Sequence, residues 1–187
     1  MTTALARLSV LALLLLVLLA PPGTAFADEA ADRAQLDVLF AELLKAPDAT
    51  AAHTIDQRIW EVWTSPSDPD LAARMADVIE ARTMLDPKRL LELMTALVTD
   101  YPTYAEGWNQ RATLYFMLGN YEASLADIEK VLQYEPRHFG ALAGRALIHL
   151  SQDKRALAIK DIQQALRVHP FLPEKELFPE LQEMTRI

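Results

Sequence analysis

Along the second half of the chain, apolar residues recur every three or four positions in short runs separated by turn-forming residues. Trp108, Ala112 and Tyr115 fall on one side of a helix, and Leu125, Ile128 and Leu132 on one side of the next, with Gly119-Asn120 between them. The pattern predicts two amphipathic helices folded on each other from Tyr104 to Pro136. Pro136 closes the second, since proline has no N–H to donate and forces the preceding residue out of the helical region. Pro102 and Pro170 stand 34 residues before and after it. A helical hairpin recurring at fixed spacing predicts an array in which each unit packs on its neighbours.

The first half shows the same alternation with a weaker period. Leu36, Leu39, Phe40, Leu43 and Leu44 predict a helix over Glu29 to Ala46, closed by Pro47-Asp48. Ile55, Ile59, Trp60 and Trp63 predict a second over Ala49 to Trp63, and their helical spacing marks the two tryptophans as core rather than as a ligand-stacking pair. Ser65-Pro66-Ser67-Asp68-Pro69 is the clearest break, with Asp68 or Asp70 placed to cap the third helix. Leu71 to Thr83 and Pro87 to Tyr101 form another helical pair. After Pro170, a last helix from Glu174 to Arg186 offers Leu177, Leu181 and Met184 to cover the open end of the stack.

With Ala105 as first position, Trp108, Ala112, Tyr115, Gly119, Tyr121, Ile128 and Pro136 stand where the tetratricopeptide repeat (TPR) has its large, small and aromatic residues. The unit resembles a TPR, departing from it at Arg111 and Ser124. The next, Phe139 to Leu172, keeps Ala146, Ala158, Ile162, Ala165 and Pro170 in phase. The resemblance implies an all-α fold: a right-handed superhelical, TPR-like array of antiparallel helical hairpins with a C-terminal capping helix. Its parts are degenerate hairpins 28–64 and 68–102, clear repeats 105–138 and 139–172, and the cap 174–186. Arg111 and Arg145 share a repeat position, as do Asp127 and Asp161 on the partner helix. Either each hairpin carries an Arg–Asp ion pair that fixes helix register, or these are unrelated surface charges.

Charge and composition narrow the function. The net charge is −8, and residues 28–102 carry 7 basic against 15 acidic side chains, whereas 103–172 carry 8 against 7. An acidic front half argues against nucleic acid, whose phosphates require a basic face. With no cysteine, neither disulfides nor thiolate metal sites are available. His53, His138, His149 and His169 have no metal-ligand spacing, and no nucleophile elbow or phosphate-cradling glycine loop occurs. The expectation is a non-enzyme without cofactor or metal.

Arg7, an apolar run from Leu8 to Ala20, Pro21-Pro22-Gly23 and Ala25-Phe26-Ala27 come in the order of an export signal, with cleavage expected after Ala27. The run is shorter than the roughly 20 residues that span a bilayer. A soluble periplasmic protein is expected, meeting the membrane only if the signal stays uncleaved.

For function, the resemblance implies protein–protein interaction, here as an adaptor or scaffold of an envelope complex holding a peptide segment or helix in a concave groove. The family's geometry places Asn109, Gln110, Thr113 and Phe116 or Met117 in that groove, with Gly140, Ala143, Gly144 and Leu147 from the next repeat. These residues are neutral and small or amide-bearing. They imply an uncharged or apolar partner segment rather than the terminal carboxylate held by a Lys and Asn clamp. The competing functions are an accessory subunit or cryptic enzyme acting on an envelope polymer, and a structural spacer.

Overall fold

A computed structural model of the chain describes residues 23–83 and 86–181. Within them lie eight α-helices: α1 (Gly23–Leu43), α2 (Ala49–Thr64), α3 (Pro69–Thr83), α4 (Pro87–Asp100), α5 (Ala105–Met117), α6 (Tyr121–Tyr134), α7 (Phe139–Ser151) and α8 (Arg155–Val168). Most of the expected export signal, residues 1–22, lies outside the described residues, while the expected cleavage point after Ala27 falls within α1. The first helix starts at Gly23, ahead of the expected Glu29, and closes at Leu43 rather than Ala46.

Local chemistry sets the boundaries. The side-chain oxygens of Asp48, Asp86 and Asn120 accept the first free N–H groups of α2, α4 and α6, and Asp68 does so for α3 through the N–H groups of Asp70 and Leu71. Pro87 opens α4, where its missing N–H costs nothing. Pro102, Pro136 and Pro170 each lie just past a helix end.

Consecutive helices pair as antiparallel hairpins, α3–α4, α5–α6 and α7–α8 stacking in chain order. The first helices of the two clear repeats, α5 and α7, also meet each other directly, so they line the inner side of the stack. Ala105, Ala112, Ile128, Val131, Ala141 and Ile148 form the core shared by these repeats. Leu71, Met75, Val78, Leu90, Met94 and Leu97 fill α3–α4 and reach Leu114 of α5.

The first hairpin does not simply extend this stack. It touches α3, its neighbour in sequence, only sparsely. Its apolar residues Leu36, Leu39, Phe40, Leu43, Ile59 and Trp63 instead share one core with Phe139, Leu142, Ala143 and Ala146 of α7 and with α8. The hairpin folds back across the array, as its aromatic payload requires: each Trp or Phe side chain gains about 1.5–3 kcal/mol from burial.

The end of the chain differs from expectation. A short 3-10 helix, Pro173–Leu177, stands where the capping helix was expected to begin, and residues 182–187, Met184 among them, lie outside the described residues. Leu177 is exposed, while Phe178 is completely buried and Leu181 packs beside it. Pro173 and the turn before it rotate the segment so that Phe178 meets the open end of α7–α8. Arg155 holds it there, its guanidinium 5.5 Å over the Phe178 ring and 2.8 Å from Glu180.

Candidate functional site

The nine inner-face positions separate into two groups. Asn109, Gln110 and Ala143 are buried, and a Cβ on Gly140 would meet the Trp60 indole at 2.9 Å. These four line no open groove, which corrects the expectation for them. Gly140 and Ala143 instead make the bed on which the first hairpin rests, while Asn109 and Gln110 are turned to Glu106, and Gln110 also accepts from Arg82 of α3 at 2.9 Å. Thr113 and Met117 are exposed, and Phe116, Gly144 and Leu147 are half-buried. The space beside Gly144 is open, its nearest neighbour being Ile128 Cδ1 at 4.0 Å. The inner face is therefore filled at the N-terminal ends of α5 and α7 and open toward their C-terminal ends.

A buried polar knot joins the filled half. Glu106 is 1% exposed. Its carboxylate accepts from the amides of Asn109 at 3.0 Å and Gln110, and the ring of His138 lies at 2.9 Å. His138 Nδ1 accepts the N–H of Ala141 as the cap of α7, so its ring proton sits on Nε2 and is donated to Glu106. The imidazole stacks on Trp63, centroids 4.0 Å apart at 4° between planes. Trp60 and Phe40 meet Phe139 edge-on. Arg137 donates to Asp37 at 2.6 Å with its guanidinium 4.4 Å over Phe40. Each of these polar side chains has a partner, as burial demands. Sequence reasoning does not single out Glu106 or His138; a carboxylate three and four positions before the amides Asn109 and Gln110 is the available signal.

The Arg–Asp pairs form. Arg111 holds Asp127 through two parallel bonds of 2.7 and 2.8 Å. Arg145 donates one bond of 2.7 Å to Asp161, whose other oxygen faces His149 Nδ1 at 3.0 Å. The half-buried His149 is thus tied to the pair.

Adjoining the buried polar knot and sharing Trp63, Glu106 and Glu135 with it, a cavity of about 280 Å³ opens between α1–α2 and the α4–α5 turn, lined also by Tyr101, Tyr104 and Tyr134. The Tyr104 hydroxyl donates to the Trp63 carbonyl. Burial first, then the carboxylates of Glu106 and Asp32, push its phenol well above the ordinary range. Tyr101 is raised too, by burial and then by Asp68, Asp70 and Asp100 against Arg74. Among the described residues, no group of three or more His, Asp or Glu is arranged to hold a metal ion, and no helix is long and apolar enough to cross a membrane.

Comparison with known proteins accords with this architecture. The tetratricopeptide repeat profile matches residues 105–138. A TPR repeat-containing protein of Rhizobium etli is 35% identical over 136 residues, which are 73% of this chain and 67% of that protein. Tetratricopeptide repeat protein 34 of Homo sapiens is 41% identical over 75 residues, 38% of this chain but only 13% of its own length. Among solved structures, the crystal structure of MamA superposes with a TM-score of 0.50 over 84% of this chain and 94% of that one, at 17% identity, a likeness of fold alone.

Proposed function

Since the chain belongs to the tetratricopeptide repeat family, we propose that it is an exported, non-catalytic scaffold that docks an uncharged or apolar partner segment on the open half of its inner face. The supporting observation is the contrast along α5 and α7. Where the N-terminal half of the face is filled by side chains of the chain itself, the C-terminal half presents exposed Thr113 and Met117 on α5 and free space at Gly144 on α7. Phe116 and Leu147 add half-buried apolar area at its edges. A face of this composition recognises shape and apolar surface, so binding depends weakly on salt.

The test uses Gly144→Arg, which fills the open half without touching the first hairpin, beside an exposed control such as Ala126→Arg. Partner capture from an envelope extract should be lost in Gly144→Arg with the melting temperature unchanged. Capture equal to the control would overturn the reading. Export is examined on the same preparation, where intact-mass measurement should find Asp28 as the first residue; a retained Met1 in the membrane fraction would overturn export without bearing on the face.

A further inference from the structure

The cavity beside the first hairpin takes no part in inner-face binding, and its chemistry is of a different kind. Its volume of about 280 Å³ lies just under the roughly 300–1,000 Å³ of small-molecule pockets, which suits one side chain better than a whole cofactor. One indole and three phenol rings wall it. Six carboxylates border it: Glu29, Asp32, Asp68, Asp100, Glu106 and Glu135. Arg33 is the lining guanidinium, and two more stand behind, Arg74 on Asp100 at 2.7 Å and Arg137 on Glu135 at 2.8 Å. Six negative charges against three positive leave the site negative. Burial first, and carboxylates after it, raise the phenols of Tyr101 and Tyr104.

We infer that this cavity receives the guanidinium of an arginine side chain presented by a protein partner. Aromatic faces attract a cation through their quadrupole, and carboxylates at the rim accept its N–H groups. Arginine fits better than lysine because a planar guanidinium stacks on rings and sheds water more readily than a compact ammonium. The exposed and half-exposed rim carboxylates keep acceptor capacity beside their bonds within the protein, since each can take about four hydrogen bonds. Asp68, for example, uses one oxygen to cap α3. Glu106, closed in by Asn109, Gln110 and His138, contributes charge alone. The inference stands apart from inner-face docking, which involves neither these residues nor this charge.

The purified protein is titrated with a capped Ala-Arg-Ala peptide and with the same peptide carrying citrulline, which keeps the planar shape and lacks the charge, by indole fluorescence and heat. Saturable binding of the arginine peptide is expected, with the citrulline peptide at least about tenfold weaker, and the preference should shrink as added salt screens the half-exposed rim. Asp100→Asn and Tyr101→Leu change that rim and should each weaken the arginine peptide at least about threefold without altering the fold signal. Gly144→Arg should leave it unchanged. Equal affinity for the two peptides, absence of saturation, or full affinity in the Asp100→Asn variant would each overturn the assignment. If arginine binding fails while Gly144→Arg still abolishes partner capture, this inference falls and the inner-face reading survives; the converse pair of results does the opposite.

Discussion

The two clear repeats and the first hairpin are built from the same kind of helix, yet they are held in place by different means. In α5–α6 the contacts are local: Ala112 is 2% exposed so that the helices can approach, Ser124 donates to its carbonyl at 2.8 Å, and Arg111 reaches Asp127 sixteen positions on. The α7–α8 hairpin repeats this plan with Ala146, Arg145 and Asp161. The α1–α2 hairpin is held by partners remote in sequence: Asp37 bonds Arg137 at a separation of 100, and Trp63 stacks on His138. Stacking by neighbour contact lets units be added one by one, whereas folding back ties the two ends of the array together. The second arrangement closes part of the inner face and creates the cavity at the same stroke.

Breaking the fold-back gives the largest expected effect. Trp63→Ala removes the ring that stacks on His138 and packs against Phe40 and Phe139. Burial losses of this kind cost about 3–5 kcal/mol. Because the repeats carry their own core, hydrogen exchange should show lost protection over α1–α2 and near-native protection over α5–α6. Loss spread evenly over all helices would show instead that the fold-back and the stack are one cooperative unit.

The sequence carried these two arrangements with unequal clarity. Repeat period, small residues and prolines made the hairpins, their order and the Arg–Asp pairs legible, because each of those signals arises from contacts inside one unit or between neighbours. Nothing in the spacing of Trp60 and Trp63 said which surface they would cover, only that they would be covered. Gly140 and Ala143 look like groove positions in the sequence because a side-chain-poor stripe is the same whether it awaits a partner or already holds one from the same chain. The cavity was invisible for a similar reason: Tyr101, Tyr104, Tyr134 and Asp32 come from three separate segments. The C-terminal cap was legible in purpose and misplaced in detail, Phe178 taking the role expected of Leu177.

A finer comparison sets the two repeats against each other through their ion pairs. Arg111 grips both oxygens of Asp127, whereas Arg145 reaches one oxygen of Asp161 and leaves its own buried Nε without a bond. Two-pronged guanidinium–carboxylate contacts are the stronger and the more geometrically demanding. Double-mutant cycles with alanine should give a coupling of about 1–2 kcal/mol for Arg111 with Asp127, and a clearly smaller one for Arg145 with Asp161, whose carboxylate keeps His149 when the arginine is gone. Equal couplings would mean that the second oxygen contributes nothing measurable.

The smallest effects expected lie in the turns joining the paired helices, where the repeats diverge at equivalent positions. Gly119-Asn120 in the first becomes Asp153-Lys154 in the second. Gly119 and Asp153 both adopt the left-handed region, φ 72° and 58°, which glycine tolerates freely and other residues adopt at a cost. Asn120 caps α6 through its side chain, while Lys154 gives α8 no such bond. Nothing lies within 4 Å of a Cβ added to Gly119, so Gly119→Ala tests backbone strain alone and should cost about 1 kcal/mol, or roughly 2–4 °C in Tm. Lys154→Asn should move the other way by about 0.5–2 kcal/mol by restoring a cap, and Asp153→Gly by a few tenths, since relief of strain is partly offset by the greater freedom of glycine in the unfolded chain. Thermal melts of the three variants decide the matter: if Lys154→Asn fails to raise Tm while Gly119→Ala lowers it, then the second turn gains stability from a contact of Lys154 that outweighs a helix cap.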